Sequence, residues 1–96
     1  MIDIEQVSQM AADIAKANLG PGNVIRVESE PSTDLDGNDA WRVTIVIPPG
    51  VAEKLNGDAV LDTLVQIQHR LQEIGDDRFA FVHYATEAEL ESVGDS

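Results

Sequence analysis

The sequence predicts an α+β protein: a two-layer α/β sandwich in the order α-β-β-α-β-α, with a three-stranded mixed sheet and the two long helices on one face. Three observations predict it. Two long segments repeat their apolar residues at helical spacing, and three short segments read as strands. A long helix also separates the second strand from the third, which resembles a right-handed crossover, whereas the first two strands lie within hairpin reach.

The first helix reads from about Asp3 to Leu19. Asp3 and Gln6 have capping-box spacing, and Ile4, Val7, Ala11 and Ile14 form an apolar stripe widened by Met10 and Ala15. Gly20 suits the left-handed position after a helix, and Pro21 cannot continue it. The first strand, "NVIRVESE", puts Ile25, Val27 and Ser29 on one face and Arg26, Glu28 and Glu30 on the other. The second, "AWRVTIVI", puts Trp41, Val43, Ile45 and Ile47 together against Arg42, Thr44 and Val46. A loop over 48–58 follows, with one helical turn near Val51–Leu55. Asp58 reads as the N-cap of a second long helix, 59–74, with Val60, Leu64, Ile67, Leu71 and Ile74 at helical spacing and Leu61 broadening the stripe. Gly75 ends it. The third strand, "RFAFVHY", is nearly continuous in apolar residues, as strands covered on both faces are. Thr86 and Glu89 form a second capping box, opening a short helix to about Val93. The chain, 1–96, reads as one domain with an acidic tail at 94–96.

The stretch "PSTDLDGNDAW" crowds Asp34, Asp36, Asn38 and Asp39 together, as a calcium loop would. An EF-hand loop with Asp34 first would need Gly where Asp39 stands and a bidentate Glu where Ile45 stands. Strands, not helices, flank it, so it reads as a hairpin connection. A bare two-residue turn at Asp36-Gly37 would set carboxylates opposite the apolar face, because a one-residue slip exchanges faces. An even pairing sum cures this. A sum of 72 sets Val27 against Ile45, Ile25 against Ile47 and Glu30 against Arg42. That arithmetic predicts an odd-length acidic loop, or a bulge, with Pro31 as the natural irregular or edge position.

Composition narrows the function classes. Eighteen acids against six bases give a net charge of −12, which repels nucleic-acid backbones and anionic membranes and favours basic partners. With no cysteine there are no disulfides, thiolate metal sites or thiol nucleophiles, which fits a well-solvated cytoplasmic protein of bacterial type. The acidic start is unlike a signal peptide, and no apolar run is long enough to span a membrane. No serine sits in a nucleophile elbow, and neither a dinucleotide fingerprint nor a P-loop occurs. Asp62, Gln66, His69 and Glu73 line one ridge of the second helix; His69 and Glu73 lack a third ligand and read as a solvated face. His83 shares a strand face with Phe79 and Phe81. No catalytic residue, cofactor or metal is assigned.

The run "RVTIVIPPG", followed by a helix and a strand, resembles the type II KH arrangement, an RNA-binding α/β domain. That family clamps the backbone with a Gly-x-x-Gly loop between two helices. The corresponding "EKLNGDAV" has only Gly57 and a single base, Lys54, so the resemblance is one of topology and transfers no site residue.

The first functional expectation is therefore a non-catalytic interaction or regulatory subunit, antitoxin-like or nucleic-acid-mimic-like, docking a basic partner. Asp62, Glu73, Asp76, Asp77, Glu87, Glu89 and Glu91 are the candidate partner-binding acidic surface. The alternative is a small ligand-binding or enzymatic domain at a homodimer interface, its pocket lined by the open sheet face and by Trp41 and Tyr84. Three strands leave two open edges and one uncovered face, so pairing with a second copy, through an edge or that face, or with a partner would address both problems. A KH-like RNA-binding remnant is the third.

Overall fold

The computed structural model describes residues 3–93, with side chains through Glu91; the acidic tail at 94–96 lies outside the described residues. Helix α1 (Ile4–Leu19) leads into strands β1 (Arg26–Thr33) and β2 (Asp39–Val46). Helix α2 (Gly57–Glu73), strand β3 (Phe79–Ala85) and helix α3 (Glu87–Val93) follow. The fold is the expected α+β arrangement.

Local chemistry sets the ends of each helix. Asp3 Oδ1 accepts from the Gln6 amide at 2.8 Å and Gln6 Oε1 accepts from the Asp3 amide at 2.9 Å, completing the capping box of α1. Gly20, at φ 98°, turns the chain out of α1, and Asn23 Nδ2 donates to the freed Leu19 carbonyl at 2.7 Å. Helix α2 starts earlier than its sequence reading. Asn56, not Asp58, is the N-cap: its Oδ1 accepts from the Asp58 amide at 2.7 Å. Asp58 sits in the first turn, where its charge meets the positive end of the helix dipole. The turn before it is a short 3-10 segment, Ala52–Lys54, so no loop between two α-helices stands where a KH domain would place its clamp. Thr86 and Glu89 cap α3 reciprocally, at 2.9 and 3.2 Å.

The sheet order is β1-β2-β3, with β1 antiparallel to β2 and β2 parallel to β3. The hairpin keeps the even pairing sum: Val27 faces Ile45 and Glu30 faces Arg42. Pairing runs without interruption through Pro31 opposite Trp41, so no bulge occurs there. The irregularity is at Ile25. Its amide donates to the Val46 carbonyl at 2.7 Å, although Arg26 is the residue that faces Val46. Ile25 therefore leaves the ladder and is 47% exposed, and the expected Ile25–Ile47 pair does not form.

The connecting loop is five residues, 34–38, odd in length as parity requires. Asp34 ties it together. Its Oδ1 accepts from the amides of Asp36 and Asn38, both at 2.9 Å, and its Oδ2 accepts from Asn38 Nδ2 at 3.2 Å. Gly37, at φ 84°, takes the left-handed position. The carboxylate that looked like a cation ligand is engaged by its own turn. These bonds, led by the Asn38 amide, hold its pKa below the usual carboxylate range.

Both long helices lie on the Trp41 face of the sheet. Val7, Ala11, Trp41, Val43, Ile67, Leu71 and Ala80 form one cluster; Ala15, Leu19, Val24, Ile45, Ile47 and Val51 form the next. The buried row of α1 is Val7-Ala11-Ala15-Leu19, a strict four-residue repeat whose alanines let the helix approach the sheet closely. Ile4, expected in that stripe, is 45% exposed. Fully burying each Val, Ile or Leu of this core contributes about 1.5–3 kcal/mol. Strand β3 is covered on one face only. Ala80 is buried and Val82 and Tyr84 are half-buried under the helices, while Phe79, Phe81 and His83 are exposed on the other side.

Candidate interaction surface

The opposite sheet face carries Arg26, Glu28 and Glu30 from β1, Arg42 and Thr44 from β2, and Phe79, Phe81 and His83 from β3. Helix α3 crosses one end of it. Arg26 Nη1 pairs with Glu87, and Leu90 helps wall a cleft of about 390 Å³ with Glu28, Glu30, Arg42, Thr44 and His83. Arg26 Nε meets Glu28 at 2.7 Å and Arg42 Nη1 meets Glu30 at 3.3 Å. All four side chains are about half exposed, so each pair is worth about 0–1 kcal/mol and exchanges readily. Deeper in, Thr44 Oγ1 and His83 Nε2 share a hydrogen bond of 2.9 Å.

The candidate acidic residues do not gather in one place. Asp62 and Glu73 are exposed on α2, and Glu73 lies 3.6 Å from His69 Nδ1. That whole ridge, Asp62-Gln66-His69-Glu73, faces solvent as expected. Asp77 is exposed in the turn before β3. Glu87, Glu89 and Glu91 are on α3, across the sheet from α2; Glu89 also caps its own helix.

Asp76 departs from the expected surface. It is only 8% exposed. Its Oδ2 accepts from Trp41 Nε1 at 2.9 Å and from Arg78 Nη2 at 2.6 Å, and its Oδ1 accepts from Arg78 Nε and the Arg78 amide. The Arg78 guanidinium lies 4.1 Å over the Trp41 ring. These bonds, Arg78's first, overcome the cost of burial and lower the Asp76 pKa to about 2. Asp76 is a structural anchor of the turn, not a docking group.

Trp41 and Tyr84 are likewise corrected. Both point under the helices, so they cannot line a pocket on the open face. Burial raises the Tyr84 pKa, with the neighbouring Thr63 hydroxyl opposing it, yet the Tyr84 hydroxyl makes no hydrogen bond within bonding geometry among the described residues. Thr63 is fully buried and donates to the Ala59 carbonyl at 2.8 Å.

Along β3's outer edge the structure adds features the sequence reading missed. Gln68 of α2 donates from Nε2 to the Arg78 carbonyl and accepts at Oε1 from the Ala80 amide, both at 3.0 Å. Beside it, Leu64, Val65, Gln68, His69, Gln72 and Phe79 line an apolar groove of about 330 Å³. Leu61 and Val65, one turn apart, were the sequence signal: two large apolar residues flanking the buried stripe.

Among the described residues no group of three or more His, Asp or Glu could hold a metal ion, and no helix is long and apolar enough to cross a membrane. No protein-family model, curated protein or solved structure matches the chain. The class this architecture defines is a two-layer α+β module with one open sheet face.

Proposed function

We propose that this chain is a small, non-catalytic interaction protein of the cytoplasm whose open sheet face docks a basic protein partner, in the manner of an antitoxin or a nucleic-acid mimic. The observation that carries the reading is the cleft beside α3. Glu28 and Glu30 wall it, and α3 adds Glu87, Glu89 and Glu91 on the same side of the sheet, against Arg26 and Arg42. A lysine or arginine from a partner competes for carboxylates now held in weak, half-exposed pairs. The charge of −12 steers such a partner in and turns nucleic acid away.

The test is affinity capture by the wild-type chain and by Glu28→Gln/Glu30→Gln, eluted with rising salt. The reading expects a basic protein held by the wild type, released by salt as surface charge is screened, and held weakly by the variant. Capture that ignores both salt and the substitutions would refute it.

A further inference from the structure

We propose that Asn56-Gly57, at the start of α2, is a site of spontaneous covalent modification: the Asn56 side-chain amide is lost as ammonia, and the N-cap of the helix gates the reaction. The inference is independent of the docking reading, which uses the cleft between β1 and α3.

The reaction consumes only water. The Gly57 backbone nitrogen gives its proton to water and attacks Asn56 Cγ. A Cγ–N bond forms, the Cγ–Nδ2 bond breaks, and Nδ2 takes a proton from water and leaves as ammonia. The product is a cyclic imide. Water then adds to either of its carbonyls and opens the ring. One opening leaves aspartate; the other leaves isoaspartate, in which the chain runs on through the side-chain carbonyl. Nothing is oxidised or reduced.

The chain has four asparagines, and the structure sets Asn56 apart. Asn18 Nδ2 donates to the Ile14 carbonyl at 3.0 Å and to Gln66 Oε1 at 3.1 Å. Asn23 Nδ2 donates to the Leu19 carbonyl at 2.7 Å, and Asn38 Nδ2 to Asp34 Oδ2 at 3.2 Å. Leu19, Val24 and Asp39 follow these three, and a side chain on the attacking residue crowds its nitrogen. Asn56 Nδ2 has no partner among the described residues, the next residue has no side chain, and both are exposed. The Gly57 amide, at the first position of the helix, has no acceptor among the described residues either. Asp36-Gly37 closes the same ring only by losing water, and there the attacking Gly37 amide is engaged, donating to the Asp34 carbonyl at 3.1 Å.

The fold does not require a glycine at 57. Its φ is not positive, and a Cβ there would meet nothing within 4 Å. The fold does restrain Asn56. Its Oδ1 accepts from the Asp58 amide at 2.7 Å, and its carbonyl accepts from the Val60 amide at 3.0 Å. Ring closure requires Asn56 Cβ and the Gly57 nitrogen to eclipse about the Cα–C bond, and at ψ 129° they stand far from eclipsed. The cap must open before the nitrogen reaches Cγ, so the rate follows local opening of the first turn of α2. The two products differ in effect. Aspartate keeps an oxygen at the N-cap and adds negative charge at the positive end of the helix dipole. Isoaspartate lengthens the backbone, which displaces the carbonyl that the Val60 amide uses.

Incubation of the full chain at mildly alkaline pH, with and without guanidinium chloride, tests this, read by isoelectric focusing and by mass spectrometry of its peptides. The expected species is one unit more negative than −12, with the change at Asn56. It forms at least about fivefold faster in denaturant, the factor that releasing a helix cap of ordinary strength gives. Gly57→Ala, exposed and with room for the methyl, keeps the circular dichroism of the wild type and has yet to form the acidic species when the wild type has converted. Asn56→Asp focuses with the wild-type product from the start. No acidic species in either condition, one arising first at Asn18, Asn23 or Asn38, equal rates with and without denaturant, or an undiminished rate in Gly57→Ala overturns the proposal.

Discussion

Asp76 and Leu71 are the residues on which the fold depends most visibly. Asp76 ionises at about 2 in the folded chain and near 3.8 once released, so the ionised carboxylate favours the fold. That contribution is complete above about pH 4 to 5 and is lost as pH falls through about 2; its size is on the order of 1–2 kcal/mol. Urea midpoints between pH 6 and pH 2 should therefore fall for the wild type. The fall should be shallower for Asp76→Asn, which starts lower at neutral pH because Arg78 loses its ionic partner. Equal slopes would remove Asp76 from the explanation. Leu71, fully buried between α1 and the sheet, should cost about 2–5 kcal/mol as Leu71→Ala, measured the same way. Tyr84→Phe should leave stability within about 1 kcal/mol of the wild type, since its hydroxyl has no hydrogen bond to lose. A larger loss would mean that Thr63 bonds it in solution.

Each element was legible in the sequence to the extent that its information is local. The capping boxes at Asp3–Gln6 and Thr86–Glu89, and the pairing sum of the hairpin, are set by spacing alone and appear as read. The start of α2 was not. Asn56-Gly57-Asp58 offers two competent caps two residues apart, and the chain uses the first. Asn56→Ala should thus cost about 1 kcal/mol and Asp58→Ala a few tenths, read from thermal unfolding. The reverse order would return the cap to Asp58. Strand β3 misled because an unbroken apolar run carries no alternation to reveal a face; Phe79 and Phe81 are as apolar as Ala80 and Val82, yet lie on the other side. Ile25 misled because it continues the alternation of β1 although the regular ladder begins only at the next residue, Arg26.

At the scale of the molecule, what the sequence withheld is tertiary. Asp76 looked like one more surface acid because its partner Trp41 lies 35 residues away. Gln68 carried no sequence signal because the strand edge it closes lies 10 to 12 residues further on. The acids expected to form one surface are divided by the sheet: Asp62 and Glu73 go to α2, while Glu87, Glu89 and Glu91 go to α3. The division gives the molecule three distinct surfaces. The helices hide the core, the β1–α3 cleft concentrates carboxylates, and the β3 edge is free of charge.

The docking claim is tested most directly by amide hydrogen exchange on the chain alone and in complex with the basic protein it captures. The account predicts added protection in β1 and β2 around Glu28–Glu30 and Arg42–Thr44 and along α3, with α1 unchanged. Protection confined to α1 or to the outer face of α2, with the cleft unaffected, would contradict it.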